Sequence, residues 1–184
     1  MFDKIDPNTP GSSRFWKLRN ECRVSPLPSR WPLPRLSGHD PIAIPANNDR
    51  MSVDIGYAPM TSVYDDLYVP VYAAQTGNVA FAGETESGFA ITLDHGSWST
   101  HYAHLSKMFV KQNLRRMQRL QSVRAGEVIG YAAKSPLHVR FEIWDRTYTS
   151  EWISADPIPR MKSWIIESPE QALRPTLPEP QQVA

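Results

Sequence analysis

PVYAAQTGNVAFAG (70–83), FAITLDHGSWSTHYAHLSKMFV (89–110) and VRAGEVIGYAAKSPLHVRFEIW (123–144) decide the fold. Each is rich in Val, Ile, Phe, Tyr and Thr, the residues that pack well on a pleated surface. The turn signals along this region are Gly77-Asn78, Gly83, Gly88 and His95-Gly96. Strands are expected at Val69–Ala74, Asn78–Gly83, Phe89–Asp94, Ser99–His104, Glu127–Ala132 and Val139–Trp144. Upstream, Arg50–Tyr57 (RMSVDIGY) alternates, with Val53 and Ile55 to one side and Asp54 to the other. Short strands at this frequency, with no long helices between them, predict an antiparallel all-β core.

The flanks read differently. Of the 17 prolines, most lie outside the central stretch. Ser12 or Ser13 can cap a short helix at RFWKLRNEC, with Phe15, Trp16 and Leu18 on its apolar side. From Pro26 to Pro45 the chain is proline-dense, and proline lacks the N–H that a ladder needs. This segment is expected to wrap the surface in extended form, anchored by Trp31, Leu33 and Leu36. Residues from 167 onward read as a disordered, proline-rich tail. The expected division is therefore 1–45, a helix and wrapping segment; 46–166, the β domain; and 167–184, the tail. Lys107–Arg124 carries six basic residues and almost no acid. It reads as a solvated basic insertion, with a docking patch for an acidic partner as the sharper alternative.

Bulk properties narrow the function. At 184 residues and 41% hydrophobic, the chain can build one full core. A formal charge of +1 gives no footing for nucleic acid or a membrane surface. No run approaches the ~20 apolar residues of a membrane span. Cys22 is the single cysteine, so neither an internal disulfide nor a cysteine zinc cluster is available. The first residues lack the apolar core of a secretory signal, and the chain reads as cytoplasmic by default. Non-classical export or a place in a virion or other particle stays open. Serine elbow, P-loop and dinucleotide fingerprints do not occur.

From about Arg50 to Trp144 the chain resembles the LytM-like domain of the M23 zinc metallopeptidases, the lysostaphin-type peptidoglycan endopeptidases. The resemblance rests on Val53-Asp54-Ile55-Gly56, PVYAAQTGNVAFAG, LDHG followed by STHYAHLS, VRAGEVIGY, and the strand Leu137–Ile143, in that order. It implies a small antiparallel β-sandwich with a groove across one sheet. It also implies a zinc ion held by the His and Asp of an H-x-x-x-D motif and the second His of H-x-H, with water in the fourth position. Two further histidines would act beside the metal, from the Y-x-H-L motif and the first position of H-x-H.

Laid onto this chain, the acidic ligand is Asp54, and the two catalytic histidines are His104 and His138. The two histidine ligands are Arg50 and Arg140. A guanidinium has five donors and no acceptor, so it gives no lone pair to a metal. Zinc, the family's cofactor, is therefore not expected here. Zn²⁺ with two neutral histidines and an aspartate sums to +1, as do two arginines with the same aspartate. Arg50 and Arg140 are expected to bracket Asp54 as an ion-paired cluster, with Tyr102 also at the binding site. His104 and His138 are retained either for function or as packed relics. His101, three residues before His104, is expected on the opposite strand face. His95 reads as a turn residue and His39 as part of a flexible stretch. The loop before His138 is only Ala133-Lys134-Ser135-Pro136.

Three function classes follow. The first is an inactive LytM-like binding or regulatory module for peptidoglycan peptide or a protein partner. The second is an active hydrolase with rearranged ligands at Asp54, His104 and His138. The third is a structural component of a secretion, conjugation or phage assembly.

Overall fold

The computed structural model describes residues 29–36, 38–46, 49–58, 68–112, 121–134, 137–147 and 151–167. Its strands are β1 (Ile42–Ala46), β2 (Asp49–Gly56), β3 (Pro70–Tyr72), β4 (Gly77–Thr85), β5 (Gly88–Asp94), β6 (Trp98–Met108), β7 (Ser122–Val123), β8 (Val128–Lys134), β9 (Leu137–Arg146) and β10 (Trp152–Ala155). One short helix, α1 (Pro157–Met161), follows. Every strand pairing is antiparallel, as the alternating runs require.

The centre of the sheet is β2–β9–β6–β5, and the apolar residues of β9, β2 and β5 that face the core follow the two-residue period. On β9 these are Leu137, Val139, Phe141 and Ile143; on β2, Val53 and Ile55; on β5, Ile91 and Leu93. They join Leu33, Leu36, Val71, Val79 and Ile129 in one core. The other face of β9 carries His138, Arg140, Glu142 and Trp144, partly open to solvent.

β6 does not keep one partner. Trp98–Ala103 pair with β9, whereas Leu105–Met108 pair with β8. His104 lies at the switch and has φ +60°, in the left-handed region that a non-glycine residue enters at a cost of order 1 kcal/mol or more. Its backbone breaks the alternation: Tyr102 and Leu105, three apart, are both buried, while Ala103 and His104 stay partly exposed.

The flanks differ in part from expectation. The proline-dense segment does join a ladder: Ile42–Ala46 pairs with β2 through Pro45↔Val53. Proline is tolerated there because β1 is an edge strand, so its missing N–H breaks no bond to a further strand. Before β1 the segment wraps as expected. Leu33 and Leu36 are buried, and the Trp31 indole donates to the Met161 carbonyl (3.1 Å). The chain up to residue 167 packs back on the N-terminal segment. Trp31 N–H bonds Ile165 O, Arg35 N–H bonds Glu167 O, and Arg30 ion-pairs with Glu167. The expected N-terminal helix, the tip of the basic insertion (113–120) and the tail from 168 lie outside the described residues.

His95 is more than a turn residue. Its Nδ1–H donates to the Thr76 carbonyl (3.0 Å), and Nε2 is hydrogen-bonded to the Thr100 hydroxyl (2.8 Å). Thr100 lies 3.1 Å from the Tyr102 hydroxyl, which accepts the Ala74 N–H (2.8 Å). The network ties β6 to the turns before β4 and after β5. Gly77 is required beside it, since a Cβ there would fall 2.6 Å from His95 Nδ1.

Burial lowers the His95 pKa to about 4 from 6.5. Between those values the unfolded chain binds a proton that the folded chain refuses. Stability is therefore complete above pH 6.5 and falls as pH drops toward 4. The full difference is roughly 3 kcal/mol. Urea unfolding midpoints are expected to fall across this window in the wild type. His95→Asn should start lower at neutral pH and show a visibly flatter slope over the same range.

Candidate functional site

The ladder registers bring the groove residues together. Asp54 on β2 sits directly opposite Arg140 on β9, and Arg140 sits opposite Ala103 on β6. His138, two residues before Arg140, shares its face. His104 reaches the same face through its left-handed backbone. Thus Asp54, His104, His138 and Arg140, the first three each partly exposed, meet on one open surface.

Two contacts order this surface. Arg140 Nε donates to Asp54 Oδ1 (3.0 Å) and Nη2 to Oδ2 (3.2 Å), a fork-to-fork pairing with each side chain 26% exposed. The bond to Asp54 raises the Arg140 pKa further. The second contact joins His104 Nδ1 and His138 Nε2 at 2.6 Å, with the rings nearly perpendicular. One of these nitrogens carries the shared proton. Partial burial, then the neighbouring His138 and Arg140, lower the His104 pKa; Asp54 opposes them. His104 is therefore biased toward neutral imidazole at neutral pH.

Among the described residues, Asp54, His104 and His138 form one group whose ligand atoms all lie within 4.8 Å of one another. Carboxylate oxygen and imidazole nitrogen suit zinc. Arg140 beside them offers no lone pair and holds both Asp54 oxygens. The side chain of Arg50 lies outside the described residues, so the second half of the expected Arg–Asp–Arg cluster does too.

Tyr102 does not reach this surface. It is fully buried, its ring tilted against Phe141, with its hydroxyl in the His95 network and its pKa pushed up to about 12 by burial. His101 was expected opposite His104, but the break at His104 puts both toward the open face. His101 lies farther along, bonded through Nδ1 to the Thr92 hydroxyl (2.9 Å), and outside the metal-capable group. The β8–β9 hairpin closes with only residues 135 and 136 between its strands, so no long loop overhangs His138 on that side.

Beyond Arg140 the same face deepens into a cavity of about 600 Å³ that the motif reading did not single out. Glu142 and Trp144 belong to it. Their signal lay in the sequence, because His138, Arg140, Glu142 and Trp144 follow one period-2 series.

The Peptidase family M23 model matches residues 53–152, more than half the chain. The chain belongs to peptidase family M23. No curated protein sequence matches it. A solved structure of a putative glycyl-glycine endopeptidase LytM from Ruminococcus gnavus aligns with TM-score 0.51 and 20% identity, covering 82% of this chain and 72% of that one. Lysostaphin from Staphylococcus simulans aligns with TM-score 0.47 and 22% identity, covering 82% and 55%. Helicobacter pylori Csd3 aligns with TM-score 0.46 and 18% identity, covering 70% of this chain. The chain spans about a third of Csd3. At 20% identity the Ruminococcus gnavus structure supports the fold alone.

The Arg140–Asp54 pair makes a direct prediction. Asp54→Ala leaves the half-buried guanidinium without its carboxylate, and stability should drop by about 1–2 kcal/mol. That corresponds to a fall of a few degrees in the thermal midpoint. Arg140→Met/Asp54→Ala should recover part of the loss, because no unpaired charge remains. Thermal unfolding of the two variants beside wild type checks both outcomes.

Proposed function

We propose that this chain is an M23 domain in which ion pairing has replaced the family's zinc, and that its groove binds rather than cleaves. The observation that carries the reading is the two-point Arg140–Asp54 contact. By resemblance, Asp54 and Arg140 stand at two of the family's three metal-ligand positions and Arg50 at the third. With both Asp54 oxygens bound by a guanidinium, the acidic ligand is engaged and a histidine ligand is replaced by a cation. A metal at those three positions would have one carboxylate and two positive neighbours, which does not fit a zinc site. Metal-assisted peptide hydrolysis therefore has no footing at those positions.

In this reading the groove is a recognition surface. Arg140 and the His104–His138 pair present hydrogen-bond donors that suit a peptide carboxylate or carbonyl. Peptidoglycan peptide is the ligand that family membership favours; a groove on a protein partner's surface peptide is the same mode of binding. A regulatory or anchoring role follows from binding without turnover.

The Asp54–His104–His138 grouping favours a second reading, an active hydrolase whose metal has moved to these three side chains. The fourth position would then be open to water, and the metal would supply an acidified water at neutral pH. For this the Arg140 guanidinium must release Asp54.

Metal analysis separates the two. Wild-type protein purified without a metal-affinity tag, and then dialysed against zinc, is expected to retain no stoichiometric metal. Arg50→His/Arg140→His is expected to retain about one zinc per chain. In the same preparations, wild type should cosediment with purified peptidoglycan sacculi without releasing soluble muropeptides. Stoichiometric zinc in wild type, lost in His104→Ala and in His138→Ala, would establish the second reading instead.

A further inference from the structure

We infer that the cavity beyond Arg140 is a saccharide site that takes a pyranose ring. None of Asp54, His104, His138 or Arg140 lines this cavity, so the inference is independent of whether the groove holds a metal.

The sheet builds the floor in two cross-strand rows. In the first, Thr92 on β5 faces His101 on β6, which faces Glu142 on β9. In the second, Asp94 faces Ser99, which faces Trp144. At one end Arg146 and Trp152 face each other across the β9–β10 ladder, with the guanidinium 5.6 Å from the indole ring centre. All eight residues line the cavity. Its volume, about 600 Å³, falls in the range of ordinary small-ligand sites.

Five of these side chains are oriented before any ligand arrives. The Trp144 indole N–H donates to Glu142 Oε2 (2.9 Å), and His101 Nδ1 is bound to Thr92 Oγ1 (2.9 Å). The Asp94 carboxylate accepts the Gly96 N–H (2.7 Å). Burial lowers the His101 pKa against the opposing pull of Glu142, which favours neutral imidazole. These five have less rotamer freedom to lose on binding.

The mixture of groups selects the ligand. A pyranose has an apolar C–H face and an edge of hydroxyls, each both donor and acceptor. Trp144 and Trp152 supply broad aromatic surface, and Trp152 is 41% exposed. Glu142 and Asp94 accept hydrogen bonds, Arg146 donates them, and Thr92 and Ser99 do both. An ammonium ligand would meet Arg146 at the same site. An anion would meet two carboxylates. A wholly apolar ligand would strand several polar groups away from water. A neutral polyol satisfies donors and acceptors together while covering the indoles.

The test titrates wild-type protein with a panel of tetrasaccharides at millimolar concentration: β-1,4-linked N-acetylglucosamine, β-1,4-linked glucose and α-1,4-linked glucose. Tryptophan fluorescence reports binding, and putrescine serves as the cationic control. A saturable change is expected with at least one sugar and none with putrescine. Trp152→Ala and Glu142→Gln should each weaken that binding about tenfold while circular dichroism and thermal midpoint stay near wild type. Trp152 is on an edge strand and Glu142→Gln is nearly isosteric, so folding is retained. The inference is overturned if no sugar in the panel binds, if both cavity variants bind as wild type does, or if putrescine binds and the sugars do not.

Discussion

Arg140 reaches across one ladder to hold both oxygens of Asp54, and the chemistry open to this groove follows from that contact. The pairing depends on register: β2 and β9 align so that residues 54 and 140 are directly opposite on the face away from the core. A shift of one residue would send the arginine inward and Val139 outward. The buried series Val139, Phe141 and Ile143 holds the register, because that slip would expose all three. Core packing therefore fixes the geometry of the charged site, although no core residue touches it.

A second constraint acts on β6. To reach His138, His104 must stand on the groove face, while Leu105 must still enter the core. A single left-handed residue reconciles the two and lets the strand pass from β9 to β8 at the same point. The backbone cost is met by the surrounding pairings and by the His95 network, which holds the other half of β6 through Thr100 and Tyr102. Strain of this kind gathers where a fold positions functional groups. Here it places two imidazoles in contact beside a carboxylate.

Much of this was legible in the sequence. The strand runs, their antiparallel pairing and the position of Asp54 follow from alternation and from glycine turns. Other features needed the third dimension. Pro45 argued against a ladder, yet an edge strand accepts it. The alternation rule put His101 and His104 on opposite faces, and it failed because one residue has positive φ; the apolar pair Tyr102 and Leu105, three apart, was the only trace of the break. Tyr102 belongs to the motif around His104 but points into the core, as its even spacing from Thr100 would have allowed. α1 carried a readable signal in Asp156-Pro157, since the Asp156 side chain caps the Ile158 N–H (3.0 Å) and proline occupies the first turn. The cavity around Glu142 and Trp144 was hidden because its residues come from five strands, although each follows the period of its own.

The most direct test of the central claim is a crystal structure of the wild-type protein grown with excess zinc, with anomalous data collected at the zinc edge. The account predicts Arg140 bound through Nε and Nη2 to Asp54, and no anomalous peak between Asp54, His104 and His138. A peak among those three side chains, with Arg140 turned away from Asp54, would contradict it.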